Sequence, residues 1–202
     1  MMIMKLGVQF LHTESISCEV CHIVSTLSFE NDTYQARFLS AGGGNYVHDV
    51  LKHHQTHELA TDAACLAVAA LAHLNEGARV KLGSMGLCEM LTLVLRRFSV
   101  VESIVRHACQ ALALLTVANK ENCLKIASHH GCERLVEQLQ TFGVGSTSAS
   151  EDIAIHICRA IGNIVSIEDK NYGYCNRMGE LGACETVLLV LQKYSHSEES
   201  IK

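Results

Sequence analysis

Two stretches of the chain carry residue types that could do chemistry. Cys18-Glu-Val-Cys21-His22 has the spacing that attaches c-type haem through two thiols and an axial imidazole. Farther along, His48, His53, His54 and His57 crowd one short segment. His53 and His57 are four residues apart, which is a metal-ligand spacing if one helix carries both. A metal-binding protein built on this histidine stretch is therefore one function hypothesis.

Other kinds of catalytic chemistry are not indicated. Gly42-Gly43-Gly44 lacks the following Lys-Ser/Thr of a phosphate-binding loop. No Ser/His/Asp order and no pair of carboxylates stands out, although a catalytic triad is spatial and need not show in sequence. We therefore expect a protein without catalytic residues, resident metal or cofactor.

The chain repeats itself with a period of 44 residues. Four cysteines, each opening an apolar run, are spaced 44, 44 and 49 residues apart: Cys21, Cys65, Cys109 and Cys158. Four asparagines are spaced 44, 44 and 52 residues apart: Asn31, Asn75, Asn119 and Asn171. The extra residues fall in Gly143–Ser150, which has Gly/Ser loop chemistry, and around Ser166–Lys170. Self-similarity at a fixed period is the signature of a stacked repeat protein.

The repeat also explains both chemical stretches without any bound group. Cys21 belongs to the cysteine register, so packing accounts for it and haem is not required. The repeat aligns His54 with Phe98 and Phe142 at the end of a helix, and it places a turn between His53 and His57. A surface or pH-sensitive patch is therefore favoured over a metal site.

Each unit predicts three helices. The asparagine is expected to cap the first helix, and a glycine is expected to end it at Gly42, Gly86 and Gly182. Glutamates fall in the first turn of the second helix, where a carboxylate meets the positive end of the helix dipole: Glu89, Glu133 and Glu185. The third helix is apolar on nearly every side, which is typical of a helix buried between neighbours.

This pattern resembles the armadillo repeat. The resemblance is carried by Asn75…Leu82-Gly83-Ser-Met-Gly86, by Leu91 and Leu95, and by the run Ala108–Leu115. It implies an all-α fold, a right-handed superhelix of about four three-helix repeats in one array. The expected divisions are a partial repeat 1–28, complete repeats 29–74, 75–118 and 119–166, a partial repeat 167–195 and a polar tail 196–202.

Composition limits the partners and the compartment. The net charge is −5, so no bulk attraction to nucleic acid is expected. No apolar run is long enough to span a bilayer, and residues 1–10 are interpreted as an incoming helix, not a signal peptide. Most of the ten cysteines lie on repeat registers set by burial. Reduced thiols in the cytoplasm or the nucleus are the simplest account.

Stacked third helices are expected to line one concave face, the surface with which solenoids bind partners. Register positions four apart share a helix face and give the predicted contact residues: His22, Asp62, Leu66, Arg106, Gln110, Leu114, Arg159 and Asn163. In nuclear-import adaptors of the armadillo family, Trp and Asn occupy two of these rows. Here Trp is absent and only Asn163 remains, so the resemblance implies the scaffold but not that ligand.

The sequence predicts a non-catalytic scaffold that binds a protein or peptide partner on this face. Arg106 and Arg159 would pair with an acidic peptide, and Leu66 and Leu114 would hold an apolar anchor. One alternative is a regulator of a small GTPase or cytoskeletal protein through a folded interface. The metal-binding hypothesis is the alternative of another class. Because both end repeats are incomplete, self-association through the uncapped ends is a further expectation.

Overall fold

Helices follow one another in the order that the repeat predicts. A computed structural model describes residues 2–167 and 173–199, with side chains up to residue 195. Two helices come first, α1 (Met2–Gln9) and α2 (Glu14–Ser28). Three sets of three follow: α3 (Asp32–Ser40), α4 (Gly43–His53) and α5 (Glu58–Ala72); α6 (Glu76–Ser84), α7 (Leu87–Arg97) and α8 (Glu102–Thr116); α9 (Lys120–Ser128), α10 (Gly131–Phe142) and α11 (Ser148–Ser166). The last two are α12 (Tyr174–Glu180) and α13 (Ala183–Glu199).

The first helices begin as predicted. In three consecutive repeats the asparagine side chain accepts a hydrogen bond from a backbone N–H in the first turn: Asn31 from Tyr34 at 3.1 Å, Asn75 from Ala78 at 2.9 Å and Asn119 from Asn122 at 3.0 Å. Each bond satisfies one donor that the helix itself leaves without a partner. The fourth predicted cap, Asn171, lies outside the described residues.

The turn between the first and second helices needs a left-handed backbone. Gly42, Gly86 and Gly182 have φ of +86°, +83° and +79°, which confirms the predicted role of glycine there. His130 holds the same place in the third complete repeat with φ of +62°. The glutamates predicted for the first turn of the second helix are all found there: Glu89, Glu133 and Glu185.

The register cysteines test the stack directly. Cys21, Cys65 and Cys109 are fully buried in equivalent positions, as predicted, so none of these thiols is accessible for haem attachment. Cys158 differs because it is only half-buried. Its helix, α11, is the last of the third helices in the described chain, so no following third helix covers it, whereas α5 follows α2 and α8 follows α5.

A shared position in the first helices joins each repeat to the next. Gln35, Arg79 and Cys123 each come four residues after the capping asparagine and hydrogen bond to the ends of two successive third helices. Gln35 Nε2 lies 3.1 Å from the carbonyl O of Ser28 and 2.9 Å from that of Ala70. In the next repeat, Arg79 donates in the same way to the carbonyl groups of Ala72 and Val117. One repeat farther along, Cys123 donates to those of Thr116 and Asn163. These donors satisfy carbonyl groups that a helix C-terminus leaves open.

Both ends of the stack expose apolar side chains. Ile23 and Leu27 on α2 are each 40% exposed, whereas their register equivalents Ala67 and Leu71 are fully buried. On α13, Leu188 and Leu191 are more exposed still. Self-association through these ends stays a prediction. None of the described helices is both long and apolar enough to cross a membrane. Helix α13 continues through Glu199, into the segment expected to be a polar tail.

Thiol reactivity should follow burial. All ten cysteines lie in the described part of the chain, and none of them is in a disulfide. Burial raises the pKa of Cys88 to about 12 and the pKa values of Cys123 and Cys132 to about 11, so these thiols stay protonated and unreactive at pH 8. Cys175 and Cys184 are exposed. We expect about two fast-reacting thiols in the native protein and ten in denaturant, counted with a chromogenic disulfide reagent.

Rapid reaction of the buried thiols, at the rate of the exposed pair and under conditions that keep the helical circular dichroism signal, would contradict the packed cysteine register. A variant with Cys175→Ser and Cys184→Ser provides the control, since it should lose the fast phase while its stability stays unchanged.

Candidate functional site: the third-helix face

The four third helices pack against one another in chain order. Helix α2 contacts α5, α5 contacts α8, and α8 contacts α11. Because each helix presents the same register positions, residues one period apart in sequence lie side by side on neighbouring helices. The third-helix face is the surface formed by the exposed and half-exposed side chains of α2, α5, α8 and α11.

Three of the predicted contact residues come together in one cavity on this face. Leu66, Gln110 and Leu114 line a volume of about 310 Å³ that crosses three layers, α2, α5 and α8. The remaining lining residues are Ser25, Thr26, Phe29, Ala69, Ala70 and His73. No carboxylate lies among them, and most are apolar, so the cavity suits an apolar group better than a charged one.

Two aromatic rings in the lining, Phe29 and His73, are not among the predicted contact residues. They are the residues that follow α2 and α5, and their rings stack with centroids 5.2 Å apart and an interplanar angle of 29°. They too are separated by one period, so the signal was present in the sequence. The predicted contact residues all lie inside the helices, whereas these two rings lie just beyond the helix ends.

The cavity also offers polar groups that have no internal partner. The side chains of Thr26 and Gln110 make no hydrogen bond to another described residue. The Nδ1 atom of His73 is buried without a hydrogen-bond partner in the described structure. Because this nitrogen is itself closed to solvent, the polar groups that a bound segment can reach are those of the exposed Thr26 and the half-buried Gln110.

Charged side chains run along the edge of the face nearer the start of the third helices. Asp62 Oδ1 lies 2.8 Å from Nδ1 of His107, joining α5 to α8. Arg106 Nη1 lies 3.5 Å from Asp152 Oδ2, joining α8 to α11. Both predicted contact residues therefore already have a partner on the next helix. Since such half-exposed pairs contribute little stability, a bound acidic group could compete for Arg106.

The remaining predicted residues differ in what they can offer. His22 and Arg159 are exposed, and neither forms an ion pair within the described chain. Asn163 faces inward, because its Nδ2 donates to Thr116 Oγ1 at 3.0 Å. Only the side-chain oxygen of Asn163 is left for a partner. Asn163 therefore differs from an asparagine that contacts a peptide with both its amide oxygen and its amide nitrogen.

Stability should fall in mild acid because of His156. Burial lowers the pKa of this half-buried residue from its ordinary value of 6.5; nearby Asp152 opposes the shift, and Arg159, Arg106 and His107 add to it. The neutral imidazole is thus the form that the fold prefers. The unfolded chain binds the proton more readily, so stability is full above pH 6.5 and is lost as the pH falls below that value.

The measurement is the melting temperature at pH 7.5 and at pH 5.5, in the wild type and in His156→Gln. We expect the drop on acidification to be smaller in the variant, since glutamine has no proton to gain. An equal drop in both proteins would mean that other groups cause the acid sensitivity. His22→Gln serves as the matched control, because His22 is exposed and lies on the same face.

A larger cavity lies elsewhere and contains none of the predicted residues. It has a volume of about 460 Å³ and lies between α7 and α10, on the side of the second helices. Its lining mixes Arg96, Arg134 and two histidines with Glu89. Arg134 is already paired with Glu137 at 2.5 Å. Size alone does not make this the better site, since the lining charges largely offset one another.

The histidine stretch is divided by a turn, as predicted. Helix α4 ends at His53, and α5 begins just after His57. His54 is buried, with Nε2 2.7 Å from the carbonyl O of Leu11, and His57 Nδ1 lies 2.9 Å from Glu14 Oε2. Among the residues that the structure covers, no three His, Cys, Asp or Glu side chains are grouped to hold a metal ion. The metal-binding alternative therefore gains no geometric support.

Helix order and stacked third helices together define an armadillo-like repeat fold, an all-α solenoid. Solved structures with this fold include an engineered protein with a TM-score of 0.78 and 20% identity, over 95% of this chain and 72% of the other. A designed armadillo repeat protein in complex with the peptide (KR)4 has a TM-score of 0.70 and 20% identity, over 93% and 72%. Another designed armadillo repeat protein has a TM-score of 0.57 and 16% identity, over 98% and 99%. No protein-family model matches the sequence, and no curated protein matches it significantly.

Proposed function

We propose that this protein is a non-catalytic scaffold that binds a segment of a partner protein on its third-helix face, in the cytoplasm or nucleus. The observation that carries the proposal is the cavity lined by Leu66, Gln110 and Leu114, which crosses three stacked helices. A site built from successive repeats suits a ligand that runs along the stack, and a polypeptide segment has that shape.

The composition of the face supports a partner unlike the one bound by a structural neighbour. One designed armadillo repeat protein with this fold is in complex with the basic peptide (KR)4. Here the face presents Arg159, which has no ion pair within the described chain, beside an apolar cavity. Arg106 is weakly paired with Asp152 at 3.5 Å, and Asp62 is engaged by His107 at 2.8 Å. A segment with apolar and acidic side chains is the better complement.

Charge reversal tests the proposal. A photoactivatable amino acid at the exposed position His22 would capture a partner in cells, and the same capture is repeated with Arg106→Glu and Arg159→Glu. We expect the yield of that partner to fall about tenfold, because two cationic contacts become repulsive. Circular dichroism of the purified variants checks that both are folded.

The matched control reverses two exposed arginines on a second helix, Arg96→Glu and Arg97→Glu. It should leave capture unchanged. If capture instead survives the third-helix reversal and is lost in the control, the third-helix face is not the binding surface. That result would favour the alternative, a regulator that binds a folded GTPase or cytoskeletal protein through its second helices.

A further inference from the structure

We propose that the cavity lined by Leu66, Gln110 and Leu114 takes one large aliphatic side chain, such as leucine, from an extended partner segment. We further propose that a carboxylate about five to six residues away in that segment pairs with Arg159. This inference rests on the proposed function, since it names the chemistry of the partner that the third-helix face would bind.

Apolar chemistry in the cavity selects the anchor. Its floor is formed by two leucines and two alanines, Leu66, Leu114, Ala69 and Ala70. A lysine or arginine of the partner would lose water here without meeting a carboxylate, since none lies among the described lining residues. An aliphatic side chain gains from the same burial, because the apolar area that it removes from water is stabilising.

Polar groups at the rim fit the main chain of an extended segment. The primary amide of Gln110 can donate and accept at once, and Thr26 can do either, as a peptide group requires. Both side chains are without partners in the described structure. The stacked rings of Phe29 and His73 add aromatic surface to the lining of the cavity.

The spacing between anchor and carboxylate follows from the register. Leu66, at the centre of the cavity, and Arg159 each come directly after the register cysteine, on α5 and α11, which are two layers apart. Packed helices lie roughly 8–10 Å apart, and an extended chain rises about 3.3 Å per residue. Two layers therefore correspond to about five to six residues of the partner. Arg159 is exposed and has no ion pair within the described chain, so its charge is available to a carboxylate.

Selection of random displayed peptides on the immobilised protein tests this inference without a known partner. We expect enrichment of sequences with an aliphatic residue and with Asp or Glu about five to six positions away. Synthetic copies are then measured by fluorescence anisotropy. Replacing the aliphatic anchor by alanine should weaken binding tenfold or more, and Arg159→Glu should remove the preference for the acidic residue.

A cavity-filling variant provides the direct structural test. Thr26→Trp places an indole at the rim of the cavity and should weaken peptide binding at least tenfold. Thr33→Trp is the matched control, because Thr33 is an exposed threonine on α3, outside the cavity, and should leave binding unchanged. Circular dichroism and the melting temperature establish that both variants are folded.

Three results would overturn the inference: enrichment of Lys/Arg-rich peptides, no enrichment at all, or full binding by Thr26→Trp. The third-helix face can remain the binding surface after each of them. Peptides that bind Thr26→Trp but are lost on reversal of Arg106 and Arg159 would keep the third-helix face and remove the cavity. Partner capture at His22 without any peptide enrichment would indicate a folded partner on the same face.

Discussion

Gly83→Ala should destabilise the protein by about 3 kcal/mol or more, although the change adds a single methyl group. A Cβ at this position would lie 1.8 Å from Oδ1 of Asn122 and 2.6 Å from its Cγ. Asn122 is 1% exposed, and its Nδ2 donates to the carbonyl groups of Arg79 at 3.0 Å and Leu115 at 2.9 Å. The amide cannot move aside without leaving buried groups unpaired, so overpacking and lost hydrogen bonds add.

Gly77→Ala in the same helix is the matched control. A Cβ there would have only Asn75 Oδ1 within 4 Å, at 3.7 Å. Alanine is the better helix former, so the expected change is neutral or a stabilisation of about 0.5–1 kcal/mol. Denaturant unfolding of the two variants measures the difference. Equal stability of both would show that first helices of adjacent repeats do not pack as closely as the structure has them.

Gln35→Leu should cost about 2–4 kcal/mol even though the new side chain is apolar, similar in size and fully buried. Gln35 Nε2 serves three carbonyl groups at the ends of α2 and α5, and its Oε1 accepts from Asn75 Nδ2 at 2.8 Å. Leucine leaves several of these buried groups without partners. Each one then costs its full loss of hydration.

The control is Gln140→Leu on α10. Gln140 is exposed and makes one hydrogen bond, at 3.3 Å to the carbonyl O of Leu181, so its loss should cost less than about 1 kcal/mol. Unfolding midpoints in urea separate the two variants. A Gln35→Leu protein as stable as the wild type would mean that water takes over the role of the amide.

Much of the fold could be predicted from sequence because repetition makes weak signals agree. A single asparagine is a poor marker of a helix start, but Asn31, Asn75 and Asn119 support one another and all cap helices. The cysteines of the register likewise support one another, and Cys21, Cys65 and Cys109 are all buried. At Cys158 the prediction of equal burial was wrong, since burial depends on a further neighbour and not on the residue itself.

The residues that hydrogen bond to two successive third helices, here called the bridging donors, could not be predicted in this way. Gln35, Arg79 and Cys123 share a position and a role, but they share neither size nor charge. An amide, a guanidinium and a thiol do not look like one conserved function in a self-alignment. What they share is a donor atom within hydrogen-bond distance of carbonyl groups on two helices. That arrangement exists only in the packed structure.

Only part of the candidate site was accessible to sequence reasoning. The register placed Leu66, Gln110 and Leu114 on one face, and the structure brings them into one cavity. It could not show that the amide of Asn163 turns inward to Thr116, because side-chain direction depends on which acceptor the neighbouring helix offers. Whether the predicted residues contact a partner stays a prediction until binding is measured.

The bridging donors also bear on how the array comes apart. Gln35 and Arg79 couple their layers through amide and guanidinium hydrogen bonds, whereas Cys123 couples α8 to α11 through a thiol at 3.8 Å from the carbonyl O of Asn163. A thiol is a weak donor, so Cys123 contributes less to the coupling of α8 and α11 than Gln35 and Arg79 contribute to the coupling of their layers. We therefore expect amide hydrogen exchange to show that the C-terminal layer opens first. The two central layers should still be closed at that stage, and they should later open together.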